Sequence, residues 1–139
     1  MNGRALSLDG EWPWLSMVVR QGTENDEDAR IQCVGVLINC NTVLTTANCA
    51  KTVATGDQVR IGTPVGKNSV VRRTIEKIVP HPAFTTTKKS KKLDIHHNNV
   101  AILFLDEPVT QDILYEQGKV GPVCHTDVTH FKFTFSTFC

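Results

Sequence analysis

Five cysteines, Cys33, Cys40, Cys49, Cys124 and Cys139, are the side chains of this 139-residue sequence with the widest choice of chemistry. A thiol can attack carbon, ligate a metal or close a disulfide, and its neighbours decide which. Attack needs a thiolate beside a base, but the residue next to Cys49 is Asn48, whose amide carries no basic nitrogen near neutral pH. Metal ligation would draw on His96-His97 with His81 and His125. Adjacent histidines in an extended segment point to opposite sides and do not easily share one tetrahedral site. They read as surface side chains, and neither a metal nor another cofactor is expected. Cys33 and Cys49 read as a disulfide or as two buried thiols. Glu24-Asn25-Asp26-Glu27-Asp28 gathers carboxylates without the glycine and terminal glutamate of a calcium loop, so it reads as a solvated connection. Lys88, Lys89, Lys91 and Lys92 form the opposite cluster, which is either a solvated face or a contact for a polyanion such as a sulfated glycan or phosphate. Ser7, Ser16, Ser69, Ser90 and Ser136 stand in no nucleophile motif.

Extended runs must hold these side chains in place. Val34 to Ile38 and Thr42 to Thr46 are short and β-branched, and Asn39-Cys40-Asn41 between them is turn chemistry, so this stretch predicts a hairpin. A Cys33–Cys49 disulfide would close its open end and contribute ~3 kcal/mol in an oxidising compartment. Upstream, Trp12-Pro13-Trp14 predicts a turn into a strand reaching Arg20, with Trp14 in the core. Downstream, Ala50 to Ala54 predicts one helical turn, Gln58 to Gly62 a half-buried strand, and Ser69 to Val79 a longer strand with an irregularity near Arg73. Thr85 to Asn99 has neither period and reads as an exposed loop. Val100 to Leu105 is a continuous apolar run, which predicts a strand covered on both faces. Phe131 to Phe138 alternates, giving a strand with one aromatic face.

A chain of this length fits one domain and buries roughly two thirds of its unfolded surface. A formal charge of +1 gives no whole-molecule field toward nucleic acid or an anionic membrane, so neither partner is expected. No apolar run approaches the ~20 residues of a membrane helix, and Met1 to Gly10 lacks a signal peptide's apolar block. The cysteines argue for an oxidising compartment. Secretion is therefore the expectation, with a leader upstream of the residues shown. The odd cysteine count leaves at least one thiol without an internal partner, and the pairing of Cys40, Cys124 and Cys139 stays open.

Several of these segments together resemble the N-terminal half of the trypsin-like, chymotrypsin-fold serine proteases. The entry Glu11-Trp12-Pro13-Trp14 is similar to that family's Glu-Phe-Pro-Trp, and His81-Pro82-Ala83-Phe84 to its His-Pro-x-Phe/Tyr. Thr45-Thr46-Ala47-Asn48-Cys49 stands where the family reads Thr-Ala-Ala-His-Cys. Asn98-Asn99-Val100-Ala101-Ile102-Leu103 resembles Asn-Asn-Asp-Ile-Ala-Leu-Leu aligned on Ala101, and Pro122-Val123-Cys124 resembles the close of the first barrel. The resemblance covers about residues 2–124 and is weaker to Cys139.

The fold this implies is all-β: a Greek-key antiparallel barrel of about six strands, equivalent to the first barrel of the chymotrypsin fold, with the second barrel absent. Residues 1–139 would form one truncated peptidase domain, with 125–139 the crossover to the missing half. The resemblance also puts the catalytic histidine at Asn48 and the triad aspartate at Asn99. Hydrolysis by this family needs a nucleophilic serine, an imidazole that takes and returns its proton, a carboxylate that fixes the imidazole tautomer, and an oxyanion hole. Neither amide can do its assigned work, and Gly-Asp-Ser-Gly-Gly does not occur in the 139 residues. The expectation is a non-catalytic homologue that binds a protease, substrate or inhibitor in a secreted cascade, using loops 23–30 and 85–99. The alternative is a truncated product of a trypsin-like endopeptidase gene, without independent function, that self-associates through Phe131 to Phe138.

Overall fold

The computed structural model describes residues 10–22, 30–62, 70–91 and 93–123 of the chain. Within them the β-branched runs become strands β1 (Leu15–Val19), β2 (Ile31–Asn39), β3 (Thr42–Thr45), β4 (Gln58–Ile61), β5 (Val71–Pro80), β6 (Thr85–Ser90), β7 (Leu93–His97) and β8 (Ala101–Leu105). Six of them close into a barrel in the order β1-β2-β3-β8-β5-β4, every neighbouring pair antiparallel. β8 comes last in sequence yet inserts between β3 and β5, a Greek-key crossing that lets the sheet close without open edges. The all-β, six-stranded barrel expected from the sequence is the fold observed.

Alternation fills the interior. Val18, Leu37, Val43, Val59, Ile61, Val71, Ile75, Leu103 and Leu105 are buried from all six strands, with Trp14 packed against them. The β2–β3 hairpin forms as expected. Its turn is held by the Asn41 N–H donating to Asn39 Oδ1 at 3.1 Å, and Leu37 faces Val43 across the ladder. Gly35 is required here, because a Cβ would sit 2.7 Å from both Leu44 O and Val43 Cγ1.

Four expectations need correction. The helical turn lies at Ala47–Ala50 (α1) and not over 50–54; Thr46 Oγ1 accepts the Cys49 N–H at 3.1 Å, so the N-cap starts the turn earlier. The stretch 85–99 is largely a hairpin, β6–β7, in a two-stranded sheet of its own. Both faces are mostly exposed, so no burial period marks its sequence, but Thr85, Thr86, Thr87 and Ile95 are good strand formers. The irregularity of β5 falls between Ile75 and Lys77, past Arg73. β8 begins at Ala101, and its outer face is only half covered at Ile102 and Phe104. Beyond the barrel, a 3-10 turn (Val109–Gln111) and α2 (Ile113–Glu116) lead to Val123, whose N–H donates to Leu37 O at 2.8 Å. The acidic run 24–28, Lys92, Cys124, His125, Cys139 and the alternating segment 131–138 lie outside the described residues.

On the outer face of the barrel, Val36 pairs with Leu44, Leu44 with Ile102, and Ile102 with Val79. Val34, two residues before Val36 and so on the same face of β2, extends this stripe, and Val34, Leu44 and Val79 are exposed.

Candidate functional site

Position 48 is set by three local constraints. Thr46 caps α1, Ala47 and Ala50 are buried, and Cys49 is disulfide-bonded to Cys33 with the two Cα atoms 5.6 Å apart. The bridge pins α1 to β2, and Asn48 turns outward and is exposed. Of the two sequence readings of these cysteines, the disulfide is the one observed. Cys40 is disulfide-bonded as well.

Position 99 is set from the other side of the barrel end. Asn98 adopts φ 52, a left-handed conformation that asparagine tolerates better than most residues, and its Nδ2 donates to Ala83 O at 3.0 Å. Val100 O accepts the His81 N–H at 2.8 Å. These bonds tie the turn before β8 to the segment after β5. Ala47, Ala50 and Ala101 pack together with Ile78 and Phe84, and their small side chains let α1 lie close against the start of β8.

Residues 51 positions apart in sequence therefore meet: the Asn48 backbone N–H donates to Asn99 Oδ1 at 2.8 Å. That bond orients the carboxamide, since an N–H must face its oxygen and the NH2 end is left to point elsewhere. The pair offers donors and acceptors to a visiting group. It offers no side chain that takes up a proton near neutral pH.

The other singled-out residues lie elsewhere. His81 Nδ1 accepts the Ala83 N–H at 3.1 Å, whereas His96 Nδ1 shares a hydrogen bond with Thr86 Oγ1 at 3.0 Å and its ring lies 6.0 Å from that of Phe84. Among the described residues no three His, Cys, Asp or Glu side chains are grouped to hold a metal, and no helix is long and apolar enough to cross a membrane. Lys88, Lys89 and Lys91 stand on the β6–β7 hairpin, all exposed.

Two features escaped the sequence reading. Lys51 Nζ sits 4.6 Å from the centroid of the Phe84 ring, linking α1 to the base of that hairpin; no spacing rule connects the two positions. Asp57 is a buried carboxylate, with Oδ1 accepting from Gln21 N and Oδ2 from Ala54 N, both at 2.9 Å. Its place beside Gly56 in a turn was the available signal.

A closed antiparallel barrel with a disulfide-pinned helical turn against the start of β8 is the single chymotrypsin-like barrel that the sequence motifs imply. Residues 2–130 match the family model for Trypsin, and the chain belongs to the trypsin family. Similar proteins include Kallikrein 1-related peptidase b5 of Mus musculus, 30% identical over 130 residues, with 81% of this chain and 44% of the relative covered. Kallikrein-1 of Mus musculus is 29% identical with the same coverage, and the Clotting factor G beta subunit of Tachypleus tridentatus is 24% identical over 127 residues, covering 88% of this chain and 36% of the relative. The chain thus spans less than half the length of each of these relatives.

Proposed function

We propose that this protein is a non-catalytic member of the trypsin family that acts outside the cell by binding another protein: a protease, a substrate or an inhibitor. The observation that carries this reading is that Asn48 and Asn99, brought together by the bond from the Asn48 backbone N–H to Asn99 Oδ1, put amide side chains where the family resemblance calls for an imidazole and a carboxylate. An amide at the first position cannot take the proton of an attacking hydroxyl. An amide in place of the carboxylate lowers turnover about 10⁴-fold in the protease template even when the imidazole is present. Nothing beyond the residues shown can supply a side chain at position 48, so the loss of the base there does not depend on where the chain ends. The Cys33–Cys49 bridge supports an extracellular site of action, and the rigid barrel supports contacts made through its loops.

Purified, oxidised chain is expected to leave arginyl and aromatic esters unhydrolysed and to unfold cooperatively as a monomer. Ester turnover that scales with the amount of chain, after removal of contaminating peptidases, overturns the reading. A second reading, that the barrel is one half of a truncated peptidase domain without independent function, is supported by the stripe Val34, Val36, Leu44, Ile102 and Val79 on its outer face and by the greater length of the relatives. Soluble aggregates at low micromolar concentration would favour it.

A further inference from the structure

The β6–β7 hairpin concentrates charge that the rest of the molecule lacks. Residues 85–99 carry Lys88, Lys89, Lys91 and Lys92 against the single carboxylate of Asp94, a balance of +3; the whole chain is +1, so the remainder is −2. The hairpin is a separate two-stranded sheet, and every residue of β6 is exposed. Its base and tip differ. Thr85 pairs with His97 and Thr86 with His96 at the base, where Phe84 and Lys51 also sit, while Lys88 pairs with Asp94 and Ser90 with Leu93 toward the tip. The register shifts between Lys88 and Ser90, so Lys89 is the extra residue of a bulge. A bulge bends its strand and re-aims a side chain, and here it does so among lysines. At about 3.3 Å per residue the tip stands some 15 Å beyond the base.

The hairpin also rises from a particular end of the barrel. β6 follows β5 after the short segment 81–84, and β7 leads through residues 98–100 into β8. Thr45 pairs with Ala101, so α1, which follows β3, emerges at the same end. The lysine tip therefore belongs to a hairpin that rises from the same barrel end as Asn48 and Asn99.

We infer that the tip of the β6–β7 hairpin, through Lys88, Lys89 and Lys91, is a docking site for a sulfated glycan. Charge complementarity carries the choice of a polyanion, because a +3 projection on a body of opposite balance focuses attraction at one place. Chemistry selects among polyanions. Residues 88–95 contain no aromatic side chain, whereas single-stranded nucleic acid is held by stacking bases on aromatic residues. The apolar side chains of β7 are an exposed Leu93 and a half-buried Ile95, far less than the apolar face that enters a membrane interface. Ammonium groups on an exposed ribbon suit sulfates spaced along a flexible chain, and a disulfide-bonded protein meets such chains in oxidising compartments.

The test is binding of the oxidised full chain to immobilised heparin across a salt series. Counterion release by three lysines predicts a slope of log affinity against log salt of about −2 or steeper. Lys88→Ala/Lys89→Ala/Lys91→Ala is expected to remove most of that slope, with its melting transition unchanged because all three side chains are exposed. The Lys→Arg triple is expected to retain binding, and chemically desulfated heparin is expected not to compete. The inference is overturned by an Ala triple that binds as the parent does, or by competition from desulfated heparin. It is equally overturned by duplex or single-stranded DNA competing as well as heparin at equal charge, or by no heparin binding at low salt. None of these outcomes bears on ester turnover, so this site and the non-catalytic reading stand or fall separately.

Discussion

Asn99 receives the Asn48 backbone N–H through Oδ1, and that bond decides which end of the amide could face any side chain at position 48. With the oxygen engaged, the NH2 remains, and NH2 donates. An imidazole introduced by Asn48→His would meet a donor where the protease template supplies an acceptor, so its Nδ1 would act as the acceptor and its Nε2 would carry the proton. Restoring the histidine alone is therefore expected to give no base. In Asn48→His/Asn99→Asp the nearby carboxylate favours the imidazolium and raises the imidazole pKa relative to the single variant. Titration of the ring by NMR checks this; identical midpoints in the two variants would show that the side chains do not meet. Asp57 makes a different demand on residue chemistry. Its two oxygens satisfy the N–H groups of Gln21 and Ala54 in a buried turn. Asp57→Ala leaves both donors without that acceptor and is expected to cost about 1–3 kcal/mol, with Asp57→Asn costing less. Denaturant unfolding of the three proteins gives the order, and equal stability would mean that water replaces the carboxylate.

At the scale of elements, the β2–β3 hairpin was legible because its chemistry is local: β-branched runs, an asparagine turn, and cysteines at both ends. The seat of Asn48 was legible only as a residue identity, since which residue starts α1 depends on the Thr46 cap. The β6–β7 hairpin was not legible at all. Sequence periodicity reports burial on one face, and a ribbon wet on both faces has no such signal. Glycine at position 35 belongs to the same hairpin as the cysteines, and its Cα is pressed against the β3 backbone. Gly35→Ala would force Leu44 O or Val43 to move and is expected to cost roughly 1–3 kcal/mol, read as a lower denaturation midpoint. A melting curve matching the parent's would mean that β2 and β3 can separate without loss. Replacing the bridge by Cys33→Ala/Cys49→Ala is expected to cost about 3 kcal/mol and to free α1 from β2. Amide exchange at Asn48 should then quicken, because the helical turn that the disulfide holds is the one from which its N–H reaches Asn99. If exchange there kept pace with the parent's, the alanine cluster alone would be positioning the turn.

For the molecule as a whole, the interior and the outer face make opposite claims. Closure of six strands around Leu37, Ile75 and Leu103 gives one continuous core, which favours a single cooperative unit. The outer stripe from Val36 to Val79 crosses four strands, about 15 Å at the usual strand spacing, and its residues meet one another directly across the ladders. A stable interface normally engages ~20–30 residues on each side, and five apolar side chains fall far short of that. The barrel is therefore expected to run as a monomer at low micromolar concentration and to associate only weakly near millimolar. Leu44 lies in the middle of the stripe and is 39% exposed, so Leu44→Lys should abolish that residual association while leaving stability within about 0.5 kcal/mol. Sedimentation of parent and variant over a range of concentrations measures both effects. Aggregation of the parent at micromolar concentration, relieved by Leu44→Lys, would instead mean that the stripe is the uncovered half of a larger interface. The barrel would then be an incomplete domain and not a binding module in its own right.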